Sequence, residues 1–136
     1  MIGLDTNILL RAVLNDDPVQ SPAAQRLLQG LSPTLPGFVN LLVLMEFFWV
    51  LRSRYKLPKA RLARIIRELI EVEFLDFEAL ETVGKAFVAY DTGISDFADS
   101  VVALRNVECG VDRTFTFDVN AAKTISSMEL LSLRAS

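Results

Sequence analysis

Between Leu41 and Leu51 every residue is apolar except Glu46. The run is too short to span a bilayer, so it reads as a helix that a folded core must cover. A helix apolar all round is buried on several faces. An isolated carboxylate there either costs several kcal/mol, roughly, or gives up its charge. Such an acid is tolerated when it is paired with a cation or binds a metal. The sequence leaves both open for Glu46: an ion pair with Arg52 or Arg11, or a metal site.

The rest of the chain places this helix in an α/β domain. Met1 to Leu4 reads as a short strand, followed by a helix over residues 6–15. Pro18 and Pro22 punctuate the chain before a helix of about eight residues that ends at Gly30. Thr34 to Val39 reads as a second strand, with Pro36 and Gly37 against it. Asn40 is the expected N-cap of the apolar helix, which reaches about Arg54. Pro58 suits the first turn of the next helix, where Leu62, Ile65, Ile66, Leu69 and Ile70 keep helical spacing. Val72 to Phe77 reads as a strand and Glu78 to Tyr90 as a helix. Ser95 or Asp96 caps another helix running to Cys109, with Gly110 at its end. Thr114 to Phe117, a short helix, and a strand over Met128 to Leu133 complete the chain. Strands separated by helices predict an open parallel sheet of about five strands with helices on both faces, in a single domain over residues 1–136. Ligands of such sheets bind outside the carboxyl ends of the strands.

Composition narrows the chemistry. The chain has no histidine and one cysteine, Cys109. Serine–histidine and cysteine–histidine nucleophile systems, histidine-ligated zinc and disulfides are therefore excluded. The six glycines form neither common phosphate-cradling motif. Catalysis is left to carboxylates, lysine, hydroxyls or a hard metal ion. A hydrophobic fraction of 51% with 23% charged residues describes a folded, soluble protein. A disulfide-free chain suits the cytoplasm. No basic segment precedes Asp5, so neither a signal peptide nor a membrane anchor is expected.

Besides Glu46, three acids stand in unusual places. Asp5 and Asp118 directly follow strand candidates, and would share one sheet edge if those strands were neighbours. Asp99 lies three residues after Asp96 near the start of an apolar helix, so the two share a face. A capping role is the competing reading for this pair. Carboxylates converging without a cation repel. A divalent hard ion resolves the repulsion, and all-oxygen ligation selects Mg²⁺ or Mn²⁺. One or two such ions suit phosphodiester hydrolysis.

Asp5-Thr6-Asn7-Ile8-Leu9-Leu10, Glu46 within its apolar helix, Asp96-Phe97-Ala98-Asp99 and Thr114-Phe115-Thr116-Phe117-Asp118 together resemble the PIN domain family. The likeness is to the VapC toxin ribonucleases of prokaryotic toxin–antitoxin pairs, and it runs along nearly the whole chain. The resemblance implies a Rossmann-like sheet and a Mg²⁺- or Mn²⁺-dependent endoribonuclease. It implies homodimers and a cognate antitoxin that neutralises the enzyme. Asp5, Glu46, Asp99 and Asp118 fall on the family's catalytic, metal-holding acids. Asp96 matches a further acid, and Asn7 and Thr116 match polar positions that orient the carboxylates. Relatives often carry Ser or Thr shortly before the helical Glu, and residues 41–45 have neither. A silent RNA-binding module of the same fold is the alternative function. A phosphoacceptor receiver domain is disfavoured, because Thr6 and Asn7 follow Asp5 where a second acid would be needed.

A net charge of −3 gives no overall attraction for nucleic acid. The basic residues are nevertheless clustered: Arg52, Arg54, Lys56, Lys59, Arg61, Arg64 and Arg67 fall in a stretch where no acid occurs from 47 to 67. Either they form a solvated helix face, or Arg52, Arg54, Arg61, Arg64 and Arg67 bind RNA phosphates, with Tyr55 available to stack on a base. Phe47, Phe48 and Trp49 on the apolar helix are expected to need cover from a second copy of the chain.

Overall fold

The computed structural model describes residues 1–134. It shows an α/β fold whose strands all pair in parallel. The chain divides into two compact units, the first ending at Leu80 and the second beginning at Glu81.

In the first unit, β1 (Ile2–Gly3), β2 (Gly37–Val39) and β3 (Leu75–Phe77) form a sheet in that order. Helices α1 (Thr6–Leu14) and α2 (Gln20–Gln29) connect β1 to β2. Helices α3 (Leu41–Ser53) and α4 (Lys59–Ile70) connect β2 to β3. Connections of this length are what parallel neighbours require. Leu62, Ile65, Ile66 and Leu69 of α4 are buried, as their spacing predicts.

The strands are shorter than the apolar runs suggest, for local reasons. Ser32 and Leu35 close a turn on themselves, and the Ser32 hydroxyl accepts from the Leu35 N–H at 3.0 Å. This keeps Thr34 out of β2. Phe74 sits at φ 60, left-handed backbone that a strand cannot use, so β3 starts one residue later. Gly37 belongs to β2 after all. A Cβ there would lie 3.0 Å from side-chain carbons of both Leu31 and Leu75, so glycine lets those leucines close over the strand.

The second unit holds most of α5 (Leu80–Asp91), then α6 (Phe97–Glu108), β4 (Thr114–Thr116), α7 (Val119–Thr124) and β5 (Met128–Leu130). β4 pairs with β5. The five expected strands are thus present, bonded as one ladder of three and one of two rather than as one continuous sheet. Ladders only two or three residues long leave few bonds with which to extend a sheet. Ala103, Ala121 and Met128 pack together with Ile125 beside them. Gly110, at φ 85, takes the left-handed position that follows a helix end. Among the described residues no helix is long and apolar enough to cross a membrane.

The start of α2 is fixed by a side chain outside the helix. Asp17 Oδ1 accepts from the backbone N–H groups of Gln20 at 2.7 Å and Val19 at 2.9 Å. These bonds, chiefly that from Gln20, hold the Asp17 carboxyl below the usual range. A depressed folded-state value gives stability that is present above the unfolded value and lost as pH falls through the folded one. Asp17→Asn should therefore lower the melting temperature at neutral pH. The deficit should shrink on acidification below about pH 4, the ordinary aspartate value, as followed by circular dichroism.

Candidate active site

The carboxyl edge of the three-stranded sheet is lined by polar residues in register. Gly3 lies beside Phe38, and Val39 beside Phe77. The Leu4 N–H donates to the Phe38 carbonyl, and the Glu78 N–H to the Val39 carbonyl, each at 3.0 Å. Asp5, Asn40 and Glu78 therefore stand at equivalent positions just past the three strands. Each serves a helix N-terminus, where backbone N–H groups lack partners. Asp5 Oδ1 accepts from the Thr6 N–H at 2.8 Å. Asn40 Oδ1 accepts from the Val43 N–H at 2.8 Å, and Glu78 Oε1 from the Leu41 N–H at 3.1 Å.

Glu78 was not among the residues expected here. It reaches α3 from 37 positions along the chain. No local pattern announces a cap supplied from the next strand.

Glu46 corrects the expectation most sharply. It is exposed, not buried. Leu44, Phe47, Phe48 and Leu51 take the inward face of α3, each 0–1% exposed. Leu42, Glu46 and Trp49, spaced i, i+4 and i+7, take the outward face, with Leu42 78% and Trp49 57% exposed. Two apolar side chains on the solvent side hide the helix's two-faced character in the sequence. The arginine partners do not materialise either. Arg11 pairs with Asp16 at 2.9 Å, an interaction that raises the Arg11 pKa further. The Arg52 guanidinium lies over the Phe48 ring, 4.9 Å from its centre. Among the described residues Glu46 has no ion pair.

In the second unit, Asp96 caps α6. Its Oδ2 accepts from the Asp99 N–H at 3.3 Å, as the capping reading expects. Asp99 is half-buried in the first turn of that helix. Asp118 caps α7, its Oδ1 accepting from the Ala121 N–H at 2.9 Å. Thr116 contributes to that placement, since its hydroxyl accepts from the Asp118 N–H at 3.0 Å. Asn7 is different. It is exposed on α1, and the Asp5 carboxylate takes its bond from backbone rather than from the Asn7 amide. The ladder partner of β1 is β2 and that of β4 is β5, so the two strands preceding Asp5 and Asp118 are not bonded neighbours.

Arg52, Arg54, Arg61, Arg64 and Arg67 are all exposed. Arg61 and Arg64 border a cavity of about 660 Å³ in the first unit, over an apolar floor that includes Val13, Leu28 and Leu69. Glu68 and Glu73 border it too, so this part of the basic stretch is not purely cationic.

The donor chemistry fits a hard divalent ion: carboxylates only, without histidine or a ligating thiol. Asp5 and Asp118 each give one oxygen to a helix, and among the described residues the second oxygen has no hydrogen bond. Also among the described residues, no three acidic or cysteine side chains are gathered into a metal-holding group.

The cap and the proposed chemistry of Asp5 separate by mutation. Asn caps as well as Asp, whereas Ala does not. Asp5→Ala should lose about 1 kcal/mol of stability in denaturant unfolding, and Asp5→Asn should lose little.

The PIN domain family profile matches residues 2–108, which include Asp5, Glu46, Asp96 and Asp99 and stop before Asp118. No curated protein matches the chain. With parallel α/β units and a family match over most of its length, this chain belongs to the PIN domain family, a Rossmann-like fold whose members are generally nucleases.

Proposed function

We propose that the chain is a Mg²⁺- or Mn²⁺-dependent endoribonuclease and the toxin of a toxin–antitoxin pair, acting in the cytoplasm as one functional domain over residues 1–136. The observation that carries this reading is the state of the acids. Asp5 and Asp118 are fixed by helix caps through one oxygen, and Glu46 is exposed without an ion pair. Carboxylates kept rigid and unneutralised suit metal ligation better than stability alone.

In this reading Asp5, Glu46, Asp99 and Asp118 hold the metal. When bound, a divalent ion supplies an activated water and charge stabilisation at the scissile phosphate. The chain's own contributions follow from its residue types. Without histidine or a ligating thiol, the ligand set would consist of carboxylate oxygens alone. The caps on α1 and α7 keep Asp5 and Asp118 from swinging as the substrate's charge arrives. Thr116 holds the turn that carries Asp118, and Asp96 holds the first turn of α6 that carries Asp99. Arg52, Arg54, Arg61, Arg64 and Arg67 are proposed to lend cationic surface to RNA phosphates.

Partners are proposed from exposed apolar surface and from the family likeness. The dimer expected from Phe47, Phe48 and Trp49 loses most of its basis, since both phenylalanines are 0% exposed. A homodimer would instead find apolar ground on the second unit, where Phe115, Phe117, Leu130 and Leu133 are 46–87% exposed. A cognate antitoxin is proposed from the resemblance to toxin ribonucleases.

Incubation with unstructured RNA tests the reading. Cleavage should require Mg²⁺ or Mn²⁺ and stop with EDTA. Asp99→Asn should reduce it by about a hundred-fold or more while the circular dichroism spectrum is kept, the scale of losing a transition-state charge partner. RNA binding without cleavage under any divalent ion would return the chain to a silent RNA-binding module.

A further inference from the structure

We propose that Trp49 is a stacking platform for an unpaired nucleobase next to the scissile phosphate, a role that rests on the ribonuclease reading above. It is the only tryptophan in the sequence. It is 57% exposed although its neighbours Phe47 and Phe48 are fully buried. Its indole offers a large flat apolar face with one polar N–H.

Its place relative to the acid gives the use. Trp49 lies three residues beyond Glu46, on the same face of α3 and about 4.5 Å further along the helix axis. A group bound at the Glu46 carboxylate and a ring resting on the indole would be about one nucleotide apart. Beyond Trp49 residues 52–56 are all exposed, and Arg52, Arg54 and Lys56 among them put positive charge at and past the C-terminal end of α3. Carboxylate and aromatic face thus share one exposed strip, and the cations lie in the segment that ends it. Sequence-tolerant binding of single strands uses this combination of stacking surface and basic track.

The same strip fits a protein partner poorly. Its apolar members are Leu42 and Trp49, and the exposed carboxylate of Glu46 lies between them. The buried centre of a protein interface is depleted of charge. A flat base edged by an anion-tolerant, metal-bearing site suffers no such conflict.

A single tryptophan makes the test optical. The full-length Asp5→Asn chain, with Mg²⁺, is titrated with a short oligouridylate and with its abasic counterpart, and intrinsic fluorescence is read. Stacking predicts quenching by oligouridylate that the abasic strand does not reproduce. In the active chain, Trp49→Ala should raise KM about ten-fold or more with kcat changed less, and Trp49→Phe should restore most of it. Oligouridylate that binds by filter retention without quenching overturns the proposal, as does equal quenching by the abasic strand. A fluorescence shift that tracks protein concentration, and that bound RNA does not alter, also overturns it, in favour of a second copy on α3. Absence of any RNA binding fails the ribonuclease reading itself, which the filter assay identifies separately.

Discussion

Four of the helices begin at a side-chain oxygen. Asp5, Asn40, Asp96 and Asp118 each accept a backbone N–H of the helix that follows. A helix that starts directly after a strand or a tight turn must satisfy those N–H groups within a residue or two, and the capping side chain does it. Asp or Asn meets the need. Where the residue is Asp, the fold also acquires a carboxylate at a fixed place. In Asp5 and Asp118 the second oxygen has no hydrogen bond among the described residues. The structural need and the candidate chemistry of this chain therefore meet in the same atoms.

Helix α3 carries the other half of the account. Its inward side chains, Phe47, Phe48, Leu44 and Leu51, are among the best-buried of the first unit. Full burial of each is worth roughly 1.5–3 kcal/mol. That anchoring, with Asn40 and Glu78 on its first turn, sets the rotation of the helix. The rotation in turn decides that Glu46 and Trp49 face solvent together. A one-residue change of register would bring Phe47 or Phe48 out and Glu46 toward the interior. The position of the acid is thus held by hydrophobic packing on the opposite face.

Much of this was legible in the residues. Strand–helix alternation, the caps at Asn40 and Asp96, the glycine after α6 and the inward face of α4 all follow from local signals of spacing and capping chemistry. Three things were not. The strands were read too long, because a turn at Ser32–Leu35 and the left-handed Phe74 depend on backbone geometry that hydrophobicity does not report. Glu46 was read as buried, because Leu42 and Trp49 are apolar residues that the fold leaves outside. Glu78 was missed, since its partner is near only once β2 and β3 have paired. Asp5 and Asp118 stand out in the sequence by following strands, and their caps on α1 and α7 give that position a structural reason.

The central proposal is that the capped carboxylates are metal ligands and not helix caps alone. Calorimetric titration of Mn²⁺, without RNA, tests it directly on the parent chain, Asp5→Asn and Asp5→Ala. Ligation predicts that both changes weaken Mn²⁺ binding by at least about ten-fold, although Asn keeps the cap. Unchanged affinity in Asp5→Asn would contradict the account.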